Sequence, residues 1–195
     1  MKIDVIQSNC SAINSIYIYK NFLENEEYFN HLLEKVKNHT QIDFQERKTQ
    51  VKCTMTSWTA LLQDADFNHI HTKMLETAWN TIQLRSPILG VKYKLSFQDG
   101  WAMRHTEGDY TQDHIHDYDL WSSVFYFDVP CETRMWFEDY QRDVVLENNM
   151  FIFFQGATKH RVSRHFGKIP RYSMANNFRI QQVRDDEKNG NSQSK

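Results

Sequence analysis

The sequence has only three cysteines, and their spacing excludes two common roles. Cys10, Cys53 and Cys131 are far apart in the chain and form no C-x-x-C pair. Neither a disulfide framework nor a zinc site is therefore indicated. We expect a protein of a reducing compartment, the cytoplasm.

Long apolar runs and an excess of charge of one sign are also missing. No stretch reaches the roughly 18 apolar residues of a membrane-spanning helix, and the N-terminal residues lack a signal-peptide pattern. The formal net charge is −2, which gives no electrostatic reason to expect nucleic acid or an anionic membrane as partner. We expect a soluble, unexported protein, and the sequence carries no indication of its oligomeric state.

The apolar material that is present suffices for one core. Of the 195 residues, 40% are hydrophobic and 14% aromatic, enough for one compact domain. We expect a single domain over residues 1–184, with a helical part at about 1–90 and a β-rich core at about 91–182. The polar residues 185–195 have no apolar anchor and are predicted to be disordered.

Two amphipathic helices are predicted in the first half of the chain. Apolar residues recur at spacings of three and four over residues 21–38 and again over residues 64–84, as on the half-buried face of a helix. Ser86–Pro87 should end the second helix.

After residue 90 the sequence changes to short segments rich in aromatic and β-branched residues. Turn residues such as Gly100, Gly108 and Gly156 separate these segments. The spacing is typical of an antiparallel sandwich or barrel, and it leaves no room for helical crossovers. The predicted fold is therefore mainly β with N-terminal helices, an α+β arrangement.

The motif His-Ile-His occurs twice, in two different contexts. His69 and His71 lie within the second predicted helix, where residues two apart point in different directions, so we expect both on the solvated surface. His114 and His116 should begin an extended segment, where residues two apart share one side and can reach one metal ion. The alternative is a polar loop whose histidines face water.

Further polar residues follow the apolar segment FFQGATKHRV. A turn at Gly156 should return the chain so that His160 lies beside the strand carrying His114. In RYSM, Arg171 and Ser173 share one side of a strand. An arginine that faces into a sandwich is costly unless an anion meets it, and its planar fork suits a carboxylate.

The chain contains four motifs in the order H-x-H, SSVFYF, FFQGATKHRV and RYS. With these motifs it resembles the iron(II)- and 2-oxoglutarate-dependent oxygenases, and most of all their prolyl-hydroxylase-like branch. The resemblance covers about residues 101–180. It implies a double-stranded β-helix, a jelly-roll or cupin-like barrel, in which the preceding helices buttress the larger sheet.

The resemblance also implies a reaction and its participants. Iron(II) is the cofactor, and 2-oxoglutarate and dioxygen are co-substrates. The expected product is an alcohol, formed by hydroxylation of a C–H bond in an amino acid, a peptidyl residue or a small metabolite, with release of succinate and carbon dioxide. The residues carried over are the metal ligands His114, His116 and His160, and the co-substrate ligands Arg171, Ser173 and Tyr126.

The sequence departs from the family pattern at His116, where the family usually has Asp or Glu. We favour His116 as a ligand because it lies two residues after His114. Asp117 or Asp119 could supply a carboxylate instead if the loop folds back. Asp113 or Asp119 could accept a hydrogen bond from a ligand imidazole.

Other interpretations of the same residues make different predictions. A cupin-like barrel would bind metal through the three histidines without 2-oxoglutarate, and it would have no need of Arg171. A binding module with incidental histidines would hold no metal tightly. Nucleic-acid demethylases share the expected fold, but the balanced charge argues against them.

Candidates for contacting a polar substrate are Arg104, His105, Arg161 and Arg164. Candidates for lining the barrel are Trp101, Trp121, Phe125, Trp136, Phe151 and Phe153.

Overall fold

The computed structural model describes residues 2–8, 11–42, 49–85, 92–117 and 121–183. Cys10, Ser86–Pro87, Asp119 and the tail predicted to be disordered lie outside the described residues. No helix in the described ranges is long and apolar enough to cross a bilayer.

The described chain contains three α-helices, twelve strands and two short 3-10 helices, Ala65–Phe67 and Glu138–Tyr140. The helices are α1 (Glu26–Ile42), α2 (Ala60–Gln63) and α3 (Asn68–Arg85). The strands are β1 (Lys2–Ser8), β2 (Ser11–Lys20), β3 (Val51–Lys52), β4 (Thr54–Met55), β5 (Lys92–His105), β6 (Tyr110–His114), β7 (Trp121–Asp128), β8 (Arg134–Phe137), β9 (Arg142–Val145), β10 (Met150–Gln155), β11 (His160–Val162) and β12 (Arg171–Val183).

The strands form two antiparallel sheets. The larger, seven-stranded sheet has the order β1-β2-β10-β7-β12-β5-β4, and the five-stranded sheet has the order β3-β6-β11-β8-β9. Chain neighbours such as β7 and β8 lie in different sheets, as in a jelly roll. The fold is a double-stranded β-helix with few helices, which confirms the predicted fold class.

The helices cover one face of the larger sheet. Strand alternation places Tyr172 and Met174 of β12 on that face, in a hydrophobic cluster with Val36 of α1 and Met74 of α3. The intervening residues of β12 face the smaller sheet. The helices and the larger sheet thus share one core, and the space between the two sheets is left for the site.

Two strands near the N-terminus were not predicted. β2 pairs with β10, and its residues alternate between two cores: Tyr17 and Tyr19 contact the helices, whereas Ile16 and Ile18 pack between the sheets. The alternating aromatic and β-branched residues of SIYIY are a strand signal. The prediction of a helical part at about 1–90 did not include these strands.

The first long helix starts later than predicted. The side chain of Asn25 accepts a hydrogen bond from the backbone N–H of Tyr28 at 2.9 Å, so Asn25 caps α1. Phe22 and Leu23, predicted to be helical, are buried in the extended segment before this cap.

Gly100 does not form the predicted turn, because β5 continues through it. A Cβ atom at this position would lie 2.4 Å from Nδ2 of Asn176. Glycine is needed here for close packing against a neighbouring side chain, a role that its sequence context does not distinguish from a turn.

The two histidines of the first His-Ile-His motif differ in burial. His69 is exposed, as predicted. The expectation for His71 was wrong: it is 6% exposed, its ring centroid lies 4.9 Å from that of Phe97, and its Nε2 lies 3.2 Å from Nδ2 of Asn176. The apolar stripe of α3 is wide enough to bury His71 beside Ile70. Burial lowers the pKa of His71 to about 4, so the neutral ring can accept the hydrogen bond from the Asn176 amide.

His71→Ala should destabilise the fold by about 1–3 kcal/mol, because the Asn176 amide N–H would lose its acceptor in the core. The free energy of unfolding in urea measures this effect. The matched control is His69→Ala, an exposed position on the same helix, which should change stability by no more than about 0.5 kcal/mol. Equal stability of the two variants would contradict the contact.

Candidate metal centre and its cavity

Three histidines lie together at one end of the space between the sheets. His114, the last residue of β6, and His160, the first residue of β11, are directly paired across the smaller sheet. His116 follows in the loop, where its backbone N–H bonds the carbonyl of Gly156 at 2.8 Å. One ligand nitrogen from each ring lies within 4.8 Å of the others. Two nitrogens bound to the same ion are separated by about 3–4 Å, so the three rings have nearly the spacing that a shared ion requires.

The location of the motif in its strand differs from the expectation. We predicted that His114 would begin an extended segment, but it ends β6 instead. The strand YTQDH was missed because it is polar and largely exposed, with only Thr111 buried. Such a strand has no alternation of apolar and polar residues in its sequence.

Backbone carbonyls determine which imidazole nitrogens are free to bind a metal. Nδ1 of His114 lies 2.9 Å from the carbonyl oxygen of Gln112, and Nδ1 of His160 lies 2.9 Å from that of Thr158. Because a carbonyl only accepts hydrogen bonds, each Nδ1 carries the proton and each Nε2 keeps its lone pair. The carboxylate of Asp113 is bound to Arg161 instead.

Burial also keeps the three rings neutral. It lowers the pKa of His116 to about 4, lowers that of His160 well below its usual range, and lowers that of His114. Neighbouring imidazoles lower the pKa of His116 and His160 further. Neutral imidazoles with free lone pairs are the form that binds iron, zinc, copper or nickel.

The described residues place no carboxylate in this cluster. Of the described His, Cys, Asp and Glu side chains, only the three histidines group closely enough to share an ion. Asp117 follows His116 but is exposed, and Asp119 lies outside the described residues. The donors present therefore fit a three-histidine centre for a transition metal.

A cavity of 670 Å³ extends from the histidines into the barrel. Arg171 lines it and is only 1% exposed. Its Nε and Nη1, and the hydroxyl of Ser173, are buried without a hydrogen-bond partner in the part of the chain that the structure describes. Tyr126 lies opposite Ser173 in the strand register, and its hydroxyl has only a long contact of 3.8 Å with Met135 Sδ.

Buried, unpartnered donors that line a cavity indicate an anion. A buried guanidinium without a counter-charge costs several kcal/mol, on the order of the penalty for one desolvated ion. Burial lowers the pKa of Arg171, because the same desolvation penalty disfavours the protonated guanidinium. A carboxylate that bonds Arg171, Ser173 and Tyr126 would remove it.

His105 also lies at this end of the cavity. It is paired with Arg171 in the strand register, and it is 2% exposed. Neither of its ring nitrogens has a partner among the residues described. Burial, and then the charge of Arg171, lowers the pKa of His105 far below its usual range.

The other predicted substrate contacts lie elsewhere. Arg104, Arg161 and Arg164 do not line the cavity, and Arg164 bonds the carbonyl of Gly108 at the surface. Trp101 lines the cavity, but Trp121, Phe125, Phe151 and Phe153 face the helices, and Trp136 lies beneath the guanidinium of Arg161. One residue after Phe153, Phe154 does line the cavity, because strand residues alternate between faces.

Fold and site together define a double-stranded β-helix with a three-histidine cluster and a buried arginine in one cavity. No protein-family model and no curated protein sequence matches this chain. Solved structures match over 84% of it.

One is a prolyl-4-hydroxylase of Pseudomonas putida, with 15% identity, 91% of that chain covered and a TM-score of 0.63. Another is the viral collagen prolyl hydroxylase of Paramecium Bursaria Chlorella virus-1 in complex with 2-oxoglutarate, with 13% identity, 94% covered and a TM-score of 0.60. HygX of Streptomyces hygroscopicus, with nickel and 2-oxoglutarate bound, has 8% identity, 82% covered and a TM-score of 0.63. At these identities the similarity establishes a shared fold, the double-stranded β-helix.

Proposed function

We propose that this protein is an iron(II)- and 2-oxoglutarate-dependent oxygenase that hydroxylates an unactivated C–H bond of a small-molecule or peptide substrate. One observation carries the proposal: a single cavity contains both a cluster of neutral histidines and a buried arginine with unpartnered donors. The fold shared with enzymes that bind 2-oxoglutarate supports it. A cytoplasmic location stays a prediction from the sequence.

The metal would be held by Nε2 of His114 and His160 together with a ring nitrogen of His116. The carbonyls of Gln112 and Thr158 orient the first two rings, because each accepts the Nδ1 proton. The chemistry that bound iron(II) supplies is the coupling of 2-oxoglutarate decarboxylation to oxygen insertion into a C–H bond.

The co-substrate would be held at the other end of the cavity. Arg171 would pair with the distal carboxylate of 2-oxoglutarate, and the hydroxyls of Ser173 and Tyr126 would each donate a hydrogen bond to it. The apolar walls, including Met103 and Phe154, exclude water and so strengthen these interactions.

A cupin-like metal-binding barrel that does not use 2-oxoglutarate is the second candidate function. The three histidines fit it equally well. Arg171 does not, because such a barrel would leave a fully buried guanidinium without an anion. The position of Arg171 therefore favours the oxygenase.

Turnover of labelled 2-oxoglutarate tests the proposed function. The iron-loaded protein, incubated in air with 2-oxoglutarate labelled at its first carbon, should release labelled carbon dioxide and form succinate. Release should require both iron and oxygen. Tight iron binding without any decarboxylation, in the presence or absence of candidate substrates, would favour the cupin-like barrel.

Variants of His116 test whether this histidine replaces the usual carboxylate. His116→Asp should still bind iron, because a carboxylate is the common ligand at this position in the family that the chain resembles. His116→Ala should lose most turnover, because it leaves two ligands, and Asp117→Asn should be mild because Asp117 is exposed outside the cluster. Iron content and 2-oxoglutarate consumption are the measurements, and full activity of His116→Ala would refute the three-histidine centre.

A further inference from the structure

The end of the cavity near the histidines carries a carboxylate that the metal and co-substrate sites do not use. Asp99 of β5 lies in a row of directly paired residues that crosses the larger sheet through Asn177, Ser122 and Phe154. The ring centroid of Phe154 is 4.6 Å from that of His160. Asp99 and Phe154 are therefore three strands apart in one row of the sheet, about 14 Å between their Cα atoms, and Phe154 is the member of the row that contacts the histidine cluster.

No lysine or arginine of the described residues lies beside this carboxylate in the cavity lining. Arg171 is the only lysine or arginine among the described residues that line the cavity. It precedes Asn177 by six residues on β12, a separation of about 20 Å along an extended strand. Asp117, the other carboxylate that lines the cavity, lies beside His116 and the metal ligands, whereas Asp99 is separated from them.

The carboxylate of Asp99 is held in a fixed orientation. Its Oδ1 accepts a hydrogen bond from the backbone N–H of Asn177 at 2.9 Å, and its Oδ2 accepts one from the Asn177 amide at 3.2 Å. The hydroxyl of Ser122 in turn donates to Oδ1 of Asn177 at 2.7 Å. About half of the lone-pair positions of the carboxylate stay free for a ligand.

Burial raises the pKa of Asp99 although the hydrogen bonds from Asn177 oppose this shift. A half-buried carboxylate that faces a cavity and lacks a positive neighbour would gain from a bound cation. The raised pKa of Asp99 is consistent with the lack of a lysine or arginine beside it among the described residues that line the cavity.

Two indoles form the wall beside Asp99. Trp101 is 3% exposed and lines the cavity, and its Nε1–H is buried with no acceptor within the described ranges. Trp58 is 39% exposed, and its ring meets that of Trp101 edge-on at a centroid distance of 4.6 Å. The backbone N–H of Gly100 bonds the carbonyl of Trp58 at 2.6 Å and so holds this wall next to Asp99.

We propose that the substrate carries a protonated amine that binds Asp99, and an oxygen atom that accepts the hydrogen bond from Nε1 of Trp101. Aromatic walls beside the carboxylate suit such a cation, because indole faces attract positive charge. This inference rests on the proposed oxygenase function for the reaction and adds the chemical class of the substrate: an amine that also carries an oxygen acceptor.

Three probes of equal length separate the effect of charge from that of shape. They are 5-aminopentanol, a cation; pentane-1,5-diol, which is neutral; and 5-hydroxypentanoate, an anion. Calorimetric titration of the full-length protein, with iron(II) and 2-oxoglutarate under anaerobic conditions and again without them, gives their affinities. Aminopentanol should bind at least about tenfold more tightly than the diol, as expected for a charge-assisted hydrogen bond. With 2-oxoglutarate occupying Arg171, the anion should bind most weakly.

Asp99→Asn should remove most of the preference for the amine, because it keeps the shape of the side chain and deletes its charge. Asp143→Asn changes the net charge equally at an exposed ion pair with Arg134, outside the cavity, and should keep the preference. Trp101→Phe should weaken aminopentanol and the diol by similar factors, because each has a hydroxyl that would lose the Nε1–H donor when a phenyl ring replaces the indole.

The outcomes separate this inference from the proposed function. The protein could bind iron and 2-oxoglutarate normally but bind aminopentanol and the diol equally, or bind neither. That result would overturn the amine inference and would not contradict the oxygenase. An Asp99-dependent preference in a protein that binds no 2-oxoglutarate would support the amine site and overturn the oxygenase. A preference unchanged in Asp99→Asn would overturn the assignment of Asp99.

Discussion

His160→Ala should bind no stoichiometric iron(II) while keeping its fold. His160 is 4% exposed and its Nδ1 is held by the Thr158 carbonyl, and it is the most buried of the three histidines. Loss of residues that only orient a metal ligand costs about 10–100-fold in affinity, and loss of a ligand itself should cost more. Iron content after anaerobic reconstitution and desalting measures the effect, and circular dichroism checks the fold.

His114→Ala should behave in the same way, because its ring is the directly paired partner of His160 in the smaller sheet. The matched control is His69→Ala, which removes an exposed histidine of the other His-Ile-His motif and should bind iron like the parent protein. Full iron retention in His160→Ala would contradict the assignment of His160 as a metal ligand.

Arg171→Ala should weaken 2-oxoglutarate binding by ~2–5 kcal/mol, the range for removal of one partner from a desolvated charge pair. Arg171 is 1% exposed, so solvent does not screen the interaction. Iron affinity should stay nearly unchanged, because the guanidinium belongs to the far end of the cavity. Anaerobic titration of the iron-loaded variant with 2-oxoglutarate gives the affinity.

Two further variants sharpen this result. Arg171→Lys keeps the charge but loses the planar fork, so its affinity should lie between those of the parent and the alanine variant. The control Arg134→Ala removes an exposed arginine paired with Glu132 and Asp143 and should not change the affinity. The ligand-free Arg171→Ala protein should be no less stable than the parent, because it no longer buries an uncompensated charge. Equal 2-oxoglutarate affinity in Arg171→Ala and the parent would refute the anion site.

Strand periodicity explains what could be predicted of the site. Arg171 and Ser173 were expected on one side of a strand, and they do face the cavity while Tyr172 faces the helices. A period of two depends only on neighbouring residues, so the sequence alone is enough to predict which side chains share a face. The same rule fails when the register is wrong by one residue, which is why Phe153 was expected in the barrel in place of Phe154.

Residues that depend on pairing between strands could not be found from the sequence. Asp99 is an ordinary polar residue in an apolar segment, and its position follows from the alignment of β5 with β12. His71 was placed on the surface because its acceptor role depends on Asn176, 105 residues away in the chain. Long-range contacts of this kind leave no local pattern, so composition and spacing do not reveal them.

The central claim is that metal and 2-oxoglutarate bind together in one cavity, and it has a direct spectroscopic test. Adding 2-oxoglutarate to the anaerobic iron(II) protein should produce a metal-to-ligand charge-transfer absorption band that saturates at one equivalent. The band should be absent in His160→Ala and should require higher 2-oxoglutarate concentrations in Arg171→Ala. Stoichiometric iron without any such band at saturating 2-oxoglutarate would contradict the oxygenase account.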